Sequence, residues 1–207
     1  MKWTENEVLL NQRNYSSGEI WKATCNEIGE HYQQMGWHYL KSKPKLSIEK
    51  NGLRLEIGFN SSRSNLSNEW IALEMIPNIK SCEMDSWIIG HTGLLYSYYD
   101  QPNPKLIKVE KIIEDDIFRI DNDTTQPMII KSANANIANL NEIGFKKITQ
   151  FIDNELYPWL DKLQTEIGIQ EILKDKCIYR RSLRKDGVFK FESYVKSKFP
   201  HLSFNDE

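Results

Sequence analysis

Cysteine is scarce in this chain and badly spaced for chemistry. Cys25, Cys82 and Cys177 are odd in number and far apart. No two have the separation of a metal-ligand or redox pair, which excludes a zinc finger and a disulfide framework. Glycine is also sparse, at ten in 207 residues. No glycine-rich phosphate loop, dinucleotide fingerprint, paired-histidine zinc motif or nucleophile elbow occurs. Long apolar runs are absent too: no stretch approaches the roughly 20 residues that span a bilayer. The first seven residues, Met1 to Glu7, are polar and acidic rather than leader-like. A cytoplasmic location without membrane insertion is the expectation.

What is present reads as a globular protein. Hydrophobic residues make up 40% and charged residues 27%, and the net charge is −2. This is too apolar for general disorder and too nearly neutral for a bulk attraction to nucleic acid or anionic lipid. The length suits a single domain over 1–207, with 1–15 as an N-terminal arm and 174–207 as a basic C-terminal segment.

The strongest local signal is Asn51-Gly52 between two alternating runs. A type I′ turn needs positive φ at both central residues, which Asn and Gly tolerate best. With those two as the loop, Lys50 faces Leu53, Glu49 faces Arg54, Ile48 faces Leu55 and Leu46 faces Ile57. The aliphatics share one face and the Glu49–Arg54 pair lies on the other. A one-residue slip would turn every aliphatic side chain into water, so the register is well specified. A third strand is expected over Trp70–Ile76, stopped by Pro77, since proline cannot donate to a central ladder. The link from Asn60 to Asn68 is polar and long for a hairpin, and such loops are either mobile or used for binding.

Ser16-Ser17-Gly18-Glu19 is a capping box. Ile20, Thr24, Ile28, Tyr32 and Met35 then recur at helical spacing, and Gly36 is placed to end the helix in the left-handed region. Trp37 and Tyr39 lead into the sheet. Further strands are expected near Ile112–Ile113, Ile117–Ile120 and Met128–Ile130. Asn139 or Asn141 can cap a helix carrying Ile143, Ile148, Phe151, Ile152, Leu156, Trp159, Leu160 and Leu163, kinked or restarted near Tyr157 by Pro158. A short helix follows over Glu166–Lys174. The fold class is therefore α+β: an antiparallel sheet centred on the Asn51-Gly52 hairpin, covered by an N-terminal helix and C-terminal helices.

Candidate sites are few. From Lys174 to Lys198 there are nine basic residues against three acidic ones, a local surplus of six that leaves −8 for the remainder. Aromatics are interleaved with them. Such a segment can bind a phosphate backbone with stacking from its aromatics. It can equally lie against its own acidic remainder, with aromatics buried and cationic heads in water. Cys82 with His91 is a poor nucleophile–base pair, because Glu83 and Asp85 would raise the thiol pKa. Glu114-Asp115-Asp116 reads as a solvated acidic run rather than a metal site, and His31 and His38 as packed or capping residues.

The order of helix, Gly36-Trp37, strand, Asn51-Gly52, strand and later amphipathic helix resembles small bacterial α+β domains of unknown function. Some of these are similar to immunity proteins that neutralise toxins by surface binding. The resemblance implies a non-catalytic protein-recognition module, immunity- or regulator-like, with no cofactor and no metal. Exposed loops and arginines are common at interfaces, so Arg63, Asn65, Arg180, Arg181 and Arg184 are the expected partner contacts. Two alternatives stay open: a nucleic-acid-associated protein using 174–198, and an enzyme with a dispersed site.

Overall fold

In a computed structural model, residues 5–66, 68–81, 112–114, 118–121, 133–174 and 190–202 are described. The expected strand at Met128–Ile130 lies outside them. Among the described residues the sheet has seven strands: β1 (His38–Leu40), β2 (Lys45–Lys50), β3 (Leu53–Ser61), β4 (Ala72–Ser81), β5 (Ile112–Glu114), β6 (Phe118–Asp121) and β7 (Ala133–Asn136). They run antiparallel in the order β1-β2-β3-β4-β7-β6-β5.

The α+β class and the hairpin are as the sequence dictates. Asn51 and Gly52 have φ of 50° and 79°, and all four expected cross-strand pairs form. Leu46, Leu53, Leu55 and Ile57 are buried on the inner face, while Glu49 and Arg54 form an exposed ion pair at 3.0 Å on the other. The middle of the sheet falls to β4, whose burial alternates from Leu73 to Ser81.

Pro77 corrects one expectation, because it does not stop the strand. β4 runs through it to Ser81. The Phe59 amide donates to the Pro44 carbonyl at 3.0 Å. Phe59, and Ile57 two residues earlier, therefore direct their backbone groups toward β2. Pro77 lies opposite Ile57, at a non-hydrogen-bonded position of the β3–β4 ladder. Its missing N–H removes no bond there, and the β7 pairing covers only Ala72–Met75.

Part of the expected N-terminal arm, residues 5–15, is described. They form a short helix, α1 (Glu7–Leu10), and a tight 3-10 turn over Gln12–Asn14, with Leu9 buried. The main N-terminal helix, α2 (Ser17–Gln33), starts with the full capping box, the Ser16 Oγ and Glu19 carboxylate each meeting the other's backbone amide. Its inward stripe is Ile20, Ala23, Thr24, Cys25, Ile28, Gly29 and Tyr32, whereas Met35 lies beyond the helix and is exposed. The Cys25 thiol is buried and its pKa is pushed up, which makes it inert. Gly36, with φ of 86°, turns the chain into β1.

On the C-terminal side lie α3 (Glu142–Phe151), a wide π turn over Ile152–Leu156, α4 (Trp159–Lys162), α5 (Glu166–Lys174) and α6 (Lys190–Lys198). Asn141 is the cap of α3, its Oδ1 accepting from the Gly144 amide at 2.9 Å. The expected break at Pro158 takes the form of that π turn, in which the Tyr157 amide reaches back to Ile152. Phe145, Ile148, Ile152, Leu156, Leu160 and Leu163 are fully buried and join α2 and the inner sheet face in one hydrophobic cluster. Ile143, on the same expected stripe, is 67% exposed.

Candidate interaction surfaces

Three surfaces concern the expected contacts. The first is the loop joining β3 to β4, at the end of the sheet away from the Asn51-Gly52 turn. Its polar composition serves internal bonding rather than slackness. The Asn65 Nδ2 donates to the Ser61 Oγ and its Oδ1 accepts from the Ala72 amide, both at 2.9 Å, tying the two strand ends together. Leu66 and Trp70 exchange both backbone bonds, at 2.8 and 2.9 Å, around a turn in which Asn68 takes a φ of 67°.

The turn between β7 and α3 holds this loop from outside. The Asn136 Nδ2 donates to the Glu69 carbonyl, and its Oδ1 accepts from the Ile71 and Ala138 amides. The Asn139 Nδ2 reaches the Asn68 carbonyl at 3.3 Å. Behind them the buried Gln12 accepts the Asn139 amide and donates to the Leu9 and Leu140 carbonyls. Trp21 adds a bond from its Nε1 to the Asn60 carbonyl at 3.1 Å. Of the expected contacts, Arg63 is exposed and Asn65 is half-buried with both ends of its amide engaged. Leu66, which polar patterning did not single out, projects from this braced loop at 58% exposure. The density of asparagine over residues 134–141 was the one available hint of the bracing.

The second surface is the basic C-terminal segment. Arg180, Arg181 and Arg184 lie outside the described residues. Its described end is docked: Tyr194 and Val195 on α6 are buried, and the Tyr194 hydroxyl donates to the Leu163 carbonyl at 2.9 Å. Phe199 and Leu202 pack on the same cluster. There the aromatics serve the core rather than a stacking platform.

The third is an open groove of about 410 Å³ on the outer face of β1–β3. His38, Leu40, Lys45, Ser47, Arg54 and Glu56 lie along it. Glu56 sits between two ammonium groups, Lys80 at 2.8 Å and Lys45 at 3.1 Å. Burial alone pushes its pKa up, but the hydrogen bonds and charges of Lys80 and Lys45 outweigh it and hold the carboxyl below the usual range. A carboxyl depressed in the folded state contributes stability above the unfolded value of about 4.3. That contribution is lost as pH falls through the lower, folded value. Glu56→Gln is therefore expected to lower the urea midpoint at neutral pH, with the gap to the parent closing below about pH 4. A gap that stays constant with pH would show that the carboxylate charge is not the cause.

Among the described residues no group of three or more His, Cys, Asp or Glu side chains could hold a metal ion. None of the described helices is long and apolar enough to cross a membrane. No protein-family model, no curated protein and no solved structure matches the chain.

Proposed function

We propose that this chain is a non-catalytic, cytoplasmic protein-recognition module of the immunity or regulator kind, which engages a protein partner through the β3–β4 loop. The observation that carries the reading is Leu66. A large apolar side chain stands exposed on a loop whose backbone is fixed by Asn65, Asn136 and Asn139. Arginine is enriched at interface centres, and the fixed apolar side chain near Arg63 adds area that a partner would remove from water. Bracing lowers the ordering entropy that a slack loop would lose on binding.

The test is affinity capture from the native host at physiological salt, with and without nuclease, using the full chain and two variants. One protein is expected in stoichiometric amount from both samples, with recovery falling by about tenfold or more for Leu66→Asp, the scale of a lost interface anchor. Arg63→Glu should weaken capture less. Recovery only of nuclease-sensitive material, or capture indifferent to Leu66→Asp in a folded variant, would overturn the reading.

A further inference from the structure

The hairpin tip joins an exposed, reactive pair of residues to the helical half of the molecule. Asn51 is the only asparagine in the chain that is followed by glycine. Both residues are exposed, and the Gly52 amide has no hydrogen-bond acceptor among the described residues. Glycine has no side chain to shield that nitrogen, and nothing lies within 4 Å of the place a Cβ would take. The Asn51 side chain is itself tethered, its Nδ2 donating to the Gln164 Oε1 at 2.6 Å. Gln164 in turn donates from Nε2 to the Lys50 carbonyl at 3.2 Å, and the Lys50 ammonium pairs with Asp161. Together these contacts latch the tip onto α4 and the turn that follows it.

We infer that Asn51 is a site of spontaneous deamidation, and that its bond to Gln164 sets the rate. The site is independent of whatever the β3–β4 loop binds. Asparagine is a thermolabile residue, and the only co-reactant needed is water. The Gly52 nitrogen attacks the Asn51 Cγ and gives up its proton to solvent. Nδ2 takes a proton from water and leaves as ammonia. Water then opens the cyclic imide. Attack at Cγ yields aspartate, and attack at the backbone carbonyl yields isoaspartate, with the main chain rerouted through Cβ and Cγ. Closing the ring turns the Asn51 side chain toward the Gly52 nitrogen, which the bond to Gln164 opposes. Neither product restores the latch. A carboxylate at position 51 cannot donate to the Gln164 Oε1, and it adds negative charge to a latch that already holds Asp161. Isoaspartate also lengthens a two-residue turn whose twist matches its strands. The tip thereby passes once, and irreversibly, from a neutral docked state to an anionic released one.

The test is to age the full chain at physiological temperature in mildly alkaline buffer, following each asparagine by peptide mapping and mass spectrometry. Isoaspartate is quantified by enzymatic methyl transfer, and the chain unfolded in urea gives the unrestrained rate. Asn51 is expected to convert before any other asparagine, more slowly than in urea, with isoaspartate the larger product. Asn65, Asn136 and Asn139, each followed by leucine or isoleucine, are the internal comparison. Gln164→Ala should speed conversion roughly fivefold, the rate equivalent of one ordinary hydrogen bond. Gln164→Glu keeps an acceptor for the Asn51 Nδ2 and should stay near the parent rate, which separates the tether from general loosening. Asn51→Asp reproduces one product and should lower the urea midpoint. An Asn51 still intact when the unfolded chain has converted, or earlier conversion at another asparagine, would overturn the inference. So would a folded Gln164→Ala variant that ages at the parent rate, or an Asn51→Asp midpoint equal to the parent's.

Discussion

Gly168→Ala is expected to lower the stability of the fold by about 1–3 kcal/mol, the usual cost of forcing an atom into a filled site. A Cβ at this position would lie 2.8 Å from the Lys162 carbonyl carbon and overlap its oxygen. The obstacle is backbone, so it cannot rotate aside. The α4–α5 connection would have to open, straining the bond from the Gly168 amide to the Thr165 Oγ1 at 3.1 Å. It would also disturb the burial of Ile169 and Ile172, which α5 contributes to the core. Alanine is favoured over glycine in a helix by about 1 kcal/mol, so the clash must outweigh that gain for the sign to hold. Gly18→Ala is the control, because nothing lies within 4 Å of its added methyl. Urea unfolding of the two variants should therefore move in opposite directions, or leave Gly18→Ala unchanged. Equal behaviour would contradict the close approach at Gly168.

Tyr32→Phe carries the second large expected effect. The Tyr32 side chain is fully buried, and its one hydroxyl proton lies between the Thr149 carbonyl at 3.0 Å and the Asp153 Oδ1 at 2.8 Å. Burial, together with the Asp153 carboxylate, pushes the phenol pKa up, so the hydroxyl stays protonated and donates. Phenylalanine keeps the ring, its edge-on contact with His31 and its tilted contact with Trp37. What it removes is the donor shared by the Thr149 carbonyl and the half-buried Asp153 carboxylate, at a cost of about 1–3 kcal/mol. For a chain of this size each kcal/mol lowers Tm by roughly 2–4 °C. Asp153→Asn keeps a side-chain oxygen that can accept and should cost less. A Tyr32→Phe variant as stable as its parent would show that the link between α2 and the C-terminal helices is packing alone.

Several departures of the fold from local sequence pattern share one physical cause. Pro77 was expected to end a strand because a proline in a central strand normally removes a ladder bond. Whether it does depends on the parity of its position in the ladder, which Pro44 and Phe59 set from elsewhere in the sequence. β7, with the sequence Ala-Asn-Ala-Asn, has no β-branched or aromatic residue to mark it. It pairs with β4 and β6 because its two alanines fit the inner face of the sheet. The π turn before Pro158 is a milder case, where the sequence located the break and the packing chose its form.

The candidate surfaces were legible to different depths. The β3–β4 loop and Arg63 could be found from composition. Asn65, expected at the interface, is used to fasten the strand ends, and Leu66 is the residue left exposed. The groove was not visible in the sequence, because its charged residues come from β2 and β3 and alternate with residues that face the core.

By itself the sequence determined whatever depends on neighbours along the chain. That covers the Asn51-Gly52 turn and its register, the capping box of α2, the glycine exit at Gly36 and the α+β class. Each rests on local φ preference, local hydrogen bonding or the period of apolar residues, which act over a few positions. Tertiary structure alone decided the strand order, the passage of β4 through Pro77, the bracing of the loop by Asn136 and Asn139, and the pairing of Glu56 with Lys45 and Lys80. Those depend on which distant backbone groups and charges come to lie together, and that is settled only when the two sides of the core close on each other.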